Sequence, residues 1–343
     1  MKPEKLFCGI ALGVGLILHA VSSGAVLDTV RSRGILNCGT DNSNPGFGYL
    51  NPKTGLMEGL DVDFCRAAAA AVLGDSRKLK FVVVTDKSRF TIVETHQVDV
   101  VFAHTTVEPQ RESVVGVDFL PFNFYDGTGV MVKVSSGVKA FAQLEGATLC
   151  TTQGSGTETT LSESIAERHW RGTTVLTYEN LERLFIAFNM GRCNAMTTDR
   201  SALLEWRANS ADPNAFLILP DLLDKSPFAG FVAQGDPRWR NILRWVVFAL
   251  FQAEEAGISS TNIVARLKTG DPFEQKFLGI TGSFGKDFGI PNDFVATMVR
   301  QVGNYGEIYD RNLGPNTPYF LNRKGTPNAL WKNGGLIYSP DWR

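Results

Sequence analysis

The stretch HTTVEPQRE, residues 104–112, places a histidine, two hydroxyl side chains and an arginine directly after an apolar run. That run, VDVVFA (98–103), predicts a fully buried strand. Ligands of open α/β sheets bind beyond the carboxyl ends of the strands, so the polar loop is a candidate binding loop. Arg111 suits an anion, because its planar guanidinium can donate two parallel hydrogen bonds to a carboxylate. A surface arginine without a ligand is the alternative.

Polar or small residues also follow other predicted strands, at Asp41, Gly154 and Asp199. The loop QGSGT (153–157) opens a predicted helix, where free backbone N–H groups and the helix dipole favour an anion. Such a loop alone is a weak signal, since it is also common in simple turns. Asp199 begins DRSALLEW (199–206), so a helix N-cap is the alternative to a ligand contact.

Few residues suggest catalysis. His104 and Glu108 are the candidates for a general acid or base, and neither has a recognisable partner. The chain lacks the GxxxxGK[ST] phosphate-binding loop and any CxxC or similar zinc spacing, so we expect no metal and no cofactor. The formal net charge is −1 with acids and bases interspersed, which gives no indication of nucleic-acid binding.

Strands and helices alternate along the chain, and this alternation predicts a parallel sheet with both faces covered. In the helix GLDVDFCRAAAAAVLG (59–74), Asp61 is expected to be the cap and Gly74 the end. The predicted strands cover 34–40, 78–85, 98–103, 173–178 and 193–198, and the other helices cover 88–97, 180–192, 199–206 and 238–257. A second α/β unit begins near GTGVMVKVSS (127–136). Residues 147–170 predict a strand, a Gly-Ser-Thr loop and a helix.

The first 25 residues have the pattern of an export signal. Two lysines precede an apolar run of residues 6–21, and the small residues Ser23 and Ala25 suit cleavage after Ala25. A membrane anchor is the alternative, but the run is short and interrupted by glycine. The mature protein is therefore expected to be exported and not itself membrane-spanning.

Four cysteines follow the expected cleavage site: Cys38, Cys65, Cys150 and Cys193. An even number in an exported chain predicts disulfides, and four cysteines allow three pairings. Pairing Cys38 with Cys65 and Cys150 with Cys193 is the simplest expectation, because each pair falls in one half of the chain. Four buried free thiols are the alternative.

Longer strings carry more information than the alternating pattern: GLDVDFCRAAAAAVLGD, GRCNAMTTDRSAL, FGKDFGIPNDF, VRQVGNYGEIYDRNLG and NALWKNGGLIYSP. Together with TTVEPQR, QGSGTE and TTDRSAL in this order, they resemble the periplasmic amino-acid-binding proteins of ABC importers, solute-binding protein family 3. The similarity is greatest to the general L-amino-acid-binding branch and covers nearly the whole mature chain. The short motifs are weak alone, and the long strings carry the resemblance.

The resemblance implies an α/β protein with the two-lobed type II periplasmic-binding-protein fold. The first lobe would comprise residues 26–126 and 229–343, the latter including the C-terminal tail, and the second lobe residues 127–228. Two crossings between the lobes would form a hinge, with the ligand cleft between the lobes.

A zwitterionic amino acid needs a cation for its carboxylate and an anion for its ammonium. The resemblance implies that Arg111 binds the carboxylate, with Thr106 as a further donor, and that Asp199 binds the ammonium. The remaining candidate ligand contacts are Ser155, Gly156 and Thr157 at the start of a helix, and Asp41 and Phe47 in a loop lining the side-chain pocket. For Phe47, filling the core is the alternative.

Two features depart from the family pattern. His104 stands where relatives carry Asn or Ser, and the relatives lack the Glu108-Pro109 pair. His104 is expected to offer its backbone carbonyl, or to alter side-chain preference if its ring faces the cleft. Glu108 is expected in solvent, with contact to a basic ligand as the alternative. These departures affect the expected range of substrates.

The resemblance thus implies a periplasmic receptor that captures free L-amino acids, polar and of broad range, and performs no chemistry. Its partners would be the membrane permease subunits of an ABC importer. An enzyme on the same fold, such as a cyclohexadienyl dehydratase-like lyase, is one alternative, and it would need an acid or base in the cleft. A ligand-sensing receptor subunit is the other.

Overall fold

A computed structural model of the chain describes residues 26–343; the predicted signal peptide with its cleavage site near Ala25 lies outside these residues. The helices are α1 Val26–Arg33, α2 Leu60–Leu73, α3 Arg89–Glu94, α4 Pro109–Ser113, α5 Gly156–Glu167, α6 Leu181–Asn189, α7 Arg200–Ala208, α8 Pro237–Glu255, α9 Ile263–Thr269, α10 Pro272–Phe277, α11 Phe284–Phe288, α12 Phe294–Val302 and α13 Tyr305–Leu313. The strands are β1 Leu36–Thr40, β2 Ser43–Asn44, β3 Gly48–Leu50, β4 Met57–Glu58, β5 Leu79–Val83, β6 Val100–Val101, β7 Val117–Phe119, β8 Phe124–Asp126, β9 Thr128–Lys133, β10 Thr148–Thr152, β11 Thr174–Tyr178, β12 Ala195–Asp199, β13 Phe216–Ile218, β14 Ser226–Phe228 and β15 Phe231–Ala233.

Two five-stranded sheets organise these elements, in the orders β5-β1-β6-β15-β7 and β11-β10-β12-β9-β13. Strand β1 is parallel to β5 and β6, and β10 is parallel to β11 and β12. Strands β15 and β9 run antiparallel to their neighbours, so the sheets are mixed and the expectation of a parallel sheet is wrong in this detail. These two strands enter their sheets directly from the other half of the molecule, and antiparallel pairing needs no helical crossover.

The chain passes between the two sheets through β8 and β14, which pair antiparallel with Asp126 opposite Ser226 and Phe124 opposite Phe228. One sheet is built from strands between residues 36 and 119 plus 231–233, and the other from strands between residues 128 and 218. We call these two halves the first and second lobes. The division at residues 126/127 and 228/229 stays a prediction.

Helix α2 shows how local and distant contacts compete. It begins after Gly59 rather than at an Asp61 cap, so the capping expectation for Asp61 is wrong. The Asp61 carboxylate is buried and instead accepts a hydrogen bond from the backbone N–H of His104 at 2.8 Å. A side chain at residue 59 would lie 1.9 Å from the Phe47 carbonyl oxygen, so only glycine fits there. Gly74 ends the helix in the left-handed conformation, as predicted.

The C-terminal tail packs onto the first lobe and onto the crossing strand β8. The side chain of Asn328 accepts a hydrogen bond from the backbone N–H of Tyr125 at 2.7 Å and donates one to its carbonyl at 2.9 Å. The Tyr305 hydroxyl donates to the carbonyl of Asn123, also at 2.7 Å. The tail therefore holds one of the two crossings in place. Within residues 26–343, no helix has both the length and the apolar character needed to span a membrane.

One disulfide lies in each lobe, with the pairing expected from the sequence. Cys38 of β1 is bonded to Cys65 of α2, and their Cα atoms are 6.0 Å apart. Cys150 of β10 is bonded to Cys193, just before β12, with a Cα separation of 5.9 Å. Each bond therefore ties a sheet to an element packed beside it.

Replacing both Cys150 and Cys193 by alanine should lower the free energy of unfolding by about 3–4 kcal/mol, because the bond closes a long loop in the unfolded chain. Cys150 and Cys193 are 43 residues apart, and Cys38 and Cys65 are 27 apart. Replacing Cys38 and Cys65 by alanine should therefore lower the free energy of unfolding by slightly less. Urea denaturation of both variants beside the parent measures this loss. An unchanged urea midpoint in either variant contradicts the expectation.

Candidate ligand-binding site

The polar ends of strands from both lobes meet between the sheets. Lys87 follows β5 in the first lobe. A Cβ atom placed on Gly154 of the second lobe would lie 3.1 Å from the Cα atom of Lys87. Asp86 lies close to Thr152, the last residue of β10; burial raises the pKa of Asp86, but Arg89, His104 and the Thr152 side chain lower it below its usual value. The strand-end loops of the two lobes are therefore in direct contact.

Arg111 lies in this region and is almost fully buried, on the short helix α4 that begins with Pro109. Its Nη1 donates to the carbonyl of Thr106, and its Nε lies 3.3 Å from a carboxylate oxygen of Glu108. Its guanidinium also stacks 5.4 Å from the centre of the Phe90 ring. Burial, followed by the charge of Arg89, lowers the pKa of Arg111 to about 10. It is not a surface arginine.

The sequence led us to expect Glu108 in solvent, and the structure places it there only in part. Its side chain is one-third exposed, and it pairs with Arg111. A Cβ atom on Gly156 would come within 2.7 Å of Glu108 Oε1 and 3.4 Å of Arg111 Nη2. The first-lobe pair thus lies directly against the start of α5 in the second lobe, where residue 156 must be small.

Asp199 ends β12 and occupies the N-cap position of α7, yet its side chain makes no capping hydrogen bond. Asp126 of the crossing strand takes that role, because its Oδ2 accepts from the backbone N–H of Ser201 at 3.1 Å. The buried Asp199 Oδ1 has no hydrogen-bond partner among residues 26–343. Burial, and then the neighbouring Asp126 and Asp86, raise the pKa of Asp199 well above its usual range. Its charge also acts on Arg111 of the other lobe.

The hydroxyls at the start of α5 are already bonded within the second lobe. Ser155 Oγ accepts from the backbone N–H of Glu158 at 3.1 Å and donates to the Thr152 carbonyl at 2.7 Å. Thr157 Oγ1 lies 2.8 Å from Ser155 Oγ and 3.1 Å from Thr151 Oγ1. What this loop can offer an anion is therefore its backbone N–H groups, which the first turn of a helix leaves free.

Thr106 lies beside the crossing strand β14. It forms an isolated bridge with Phe228, and its neighbours continue the pairing: Thr105 accepts from the N–H of Ala229 at 3.0 Å, and Val107 donates to Pro227 at 2.9 Å. The loop that carries Thr106 is therefore fixed to one of the two chain crossings.

His104 is buried with a positive φ of 36°, a conformation uncommon for a residue with a side chain. Its ring packs beside the contacting pair Phe47 and Phe228, at centroid distances of 6.4 and 6.2 Å, and its Nε2 is 3.9 Å from Asp86. Among residues 26–343 the His104 carbonyl accepts no hydrogen bond, while the His104 backbone N–H donates to Asp61 and holds this residue in place. The ring is directed among aromatic and acidic side chains at the lobe junction.

Asp41 and Phe47 frame the same region from the first lobe. Asp41 Oδ1 accepts from the backbone and hydroxyl of Ser43 at 2.6 and 2.9 Å, while burial raises the pKa of Asp41. Phe47 is 1% exposed and packs edge-on against Phe124 at 5.0 Å, as part of the largest hydrophobic core. Phe47 therefore fills the core whether or not it also touches a ligand.

Sequence reasoning missed several charged groups at this junction. Arg89 is buried, with its Nη1 2.8 Å from Asp86 and 3.0 Å from the carbonyl of Ala103. Both Asp86 and Arg89 follow the predicted strand 78–85, so the strand-end rule applied to Arg111 could have found them. Asp126 and Glu205 carry no such signal, because one lies in a crossing strand and the other inside α7.

Comparison with known proteins assigns the family. The model for bacterial extracellular solute-binding proteins, family 3, matches residues 36–260. The general L-amino acid-binding periplasmic protein AapJ of Rhizobium johnstonii is 35% identical over 345 residues, covering 100% of both chains. The glutamate/glutamine/aspartate/asparagine-binding protein BztA of Rhodobacter capsulatus is 37% identical over 346 residues, again covering 100% of both.

A solved structure shows the same architecture. A periplasmic binding protein of an ABC transporter from Brucella ovis, with glutathione bound, matches with a TM-score of 0.86 and 37% identity, over 91% of this chain and 97% of that one. The predicted two-lobed α/β fold is confirmed by this match. The chain belongs to the bacterial extracellular solute-binding proteins of family 3.

Proposed function

We propose that this protein binds free L-amino acids between its lobes in the periplasm and delivers them to the permease subunits of an ABC importer. The observation that carries the proposal is that a buried basic side chain, Arg111, and a buried acidic side chain, Asp199, come from different lobes and face the same junction. The names of AapJ and BztA, both amino-acid-binding proteins, support the same ligand class.

The two charges suit the common part of every amino acid. Arg111 can bind the carboxylate together with the free N–H groups that begin α5, since Gly156 lies next to its Nη2. Asp199 can bind the ammonium, because Asp126 accepts the capping hydrogen bond of α7 and leaves the Asp199 carboxylate available. Asp41, His104 and Phe47 would then lie toward the side chain.

Binding is coupled to closure of the lobes. An amino acid held by Arg111 and Asp199 contacts both lobes at once, so it favours the arrangement in which they are together. The crossing strands β8 and β14 are the positions at which the chain can bend. Transport energy then comes from the importer's other subunits.

We propose further that the ligand leaves unchanged. Glu108 is paired with Arg111, and His104 Nδ1 has no hydrogen-bond partner among residues 26–343, so the two acid–base candidates do not form a catalytic pair. Mass spectrometry of amino acids recovered after prolonged incubation with the protein tests this proposal. Conversion of a bound compound at a rate above the protein-free control would favour a lyase instead.

A thermal-shift panel tests the ligand class. Protein freed of ligand by partial unfolding and dialysis should melt at higher temperature with at least one free L-amino acid, because a ligand that binds only the folded form stabilises it. Matched D-amino acids and simple carboxylates serve as controls. A melting temperature unmoved by every L-amino acid would refute amino-acid binding.

Arg111→Ala and Asp199→Ala should each weaken the binding of all amino acids by roughly 30-fold to several-thousand-fold. Each change leaves one ligand charge buried and unpaired, which costs about 2–5 kcal/mol. Calorimetry measures the affinities, and circular dichroism checks the fold. Arg183→Ala is the matched control, because this exposed arginine forms an exposed ion pair with Glu179, away from the lobe junction. Parental affinity in a folded Arg111 or Asp199 variant would place the site elsewhere.

His104→Asn should change the rank order of bound amino acids and leave binding itself intact. Asparagine tolerates the positive φ at this position, and its backbone N–H can still donate to Asp61. The change removes a ring that lies near Asp86 and Phe47. Calorimetric affinities for a panel of amino acids give the order; an order and affinities equal to the parent would show that the ring does not contact the ligand.

A further inference from the structure

Glu205 is a buried carboxylate with no evident structural role. It lies in α7 of the second lobe, its side chain is fully buried, and both of its carboxylate oxygens lack hydrogen-bond partners among residues 26–343. A Cβ atom on Gly46 of the first lobe would lie 2.6 Å from Glu205 Oε1. The carboxylate therefore reaches across to the loop that carries Phe47.

The charged groups that act on Glu205 are all acidic. Burial raises the pKa of Glu205 well above its usual range, and Asp126, Asp199 and Asp61 raise it further. Asp61 comes from α2, Asp126 from the crossing strand β8, and Asp199 from the end of β12. An isolated negative charge in such a place is strongly disfavoured unless a cation joins it.

The arginines of the junction are engaged with other carboxylates. Arg89 pairs with Asp86 at 2.8 Å, and Arg111 lies 3.3 Å from Glu108. An amino acid bound as proposed adds one ammonium, which Asp199 takes. Its carboxylate adds a negative charge at Arg111. A ligand with a neutral side chain thus leaves Glu205 without a positive partner.

We propose that Glu205 binds the cationic group of the ligand's side chain, so that basic amino acids such as arginine, lysine and ornithine are preferred. This inference rests on the proposed function and specifies its substrate class. Glu205 follows Asp199 by six residues, so the two lie about 9 Å apart along the axis of α7 and on faces of the helix roughly 120° apart. Their carboxylates are nonetheless close enough for Asp199 to act on Glu205. A ligand with a long, unbranched cationic side chain can place its α-ammonium at Asp199 and the far end of its side chain at Glu205.

Arginine and citrulline test the inference without any variant, because they have nearly the same shape and differ in charge. Calorimetry on ligand-free protein should find arginine bound at least about 30-fold more tightly than citrulline, since a desolvated charge pair is lost in citrulline. Glu205→Gln removes the charge and keeps the size of the side chain. In this variant the affinity for arginine should fall by about 30-fold or more, while the affinity for citrulline should change by less than about threefold.

Proton release gives a second readout that a purely structural residue would not change. A cation at Glu205 favours its ionised form, so arginine should release protons on binding, seen as a heat that depends on the ionisation enthalpy of the buffer. Asp61, Asp126 and Asp199 are further titratable groups beside Glu205, and the hydroxyls of Tyr309 and Tyr319 also feel its charge. The difference between the parent and the Glu205→Gln variant isolates the contribution of Glu205, and citrulline should show the smaller release in both.

The outcomes separate the two proposals. Failure to bind any amino acid by folded parental protein overturns the proposed function itself. Glutamine, glutamate or citrulline bound as tightly as arginine overturns only the role of Glu205, as does a Glu205→Gln variant that keeps parental affinity for arginine. Tighter binding of neutral side chains would instead assign Glu205 as a protonated hydrogen-bond donor.

Discussion

A carboxylate removed from water must meet a positive charge or keep a proton, and this constraint organises the junction between the lobes. Acidic side chains converge there from both lobes: Asp41, Asp61, Asp199 and Glu205 are buried, and Asp86 and Asp126 are partly buried. Arg89 and Arg111 balance part of this charge, and backbone N–H groups satisfy Asp61 and Asp126. Asp199 and Glu205 retain oxygens without partners in the part of the chain that the structure covers. In the proposed function, the ligand supplies the positive charge that these carboxylates lack in the protein alone.

The scaffold holds these groups close together although neither disulfide joins the two lobes. Each disulfide stays within one lobe, and the lobes are joined by the paired strands β8 and β14. Asp126 lies in that joint and caps α7, which frees Asp199 one residue before the helix begins. The joint thus does more than connect the lobes, since it determines which carboxylate remains available.

Sequence reasoning succeeded where a local pattern reports the structure. The change from strand to helix period located the ends of β1, β6, β10 and β12, and therefore Asp41, the loop before Arg111, and Asp199. It failed where a distant partner decides: the capping rule assigned Asp61 to its own helix, because nothing near it indicates that His104, 43 positions away, donates to it. The burial of Glu205 could not be predicted for the same reason, since nothing in the sequence of a helix indicates that one of its polar residues is covered by the other lobe. The split first lobe came from family resemblance alone.

Some contacts that join the lobes directly, such as Lys87 with Gly154, lie outside the groups proposed to bind the ligand. Contacts of this kind favour the arrangement in which the lobes are together in the empty receptor as well as in the loaded one. The measured affinity for any solute scales with the fraction of molecules in the binding-competent arrangement, so substitutions at these contacts change every affinity by a common factor. Evolution can therefore adjust the threshold concentration for uptake separately from selectivity. The same contacts set how often an unloaded receptor competes with a loaded one for the importer.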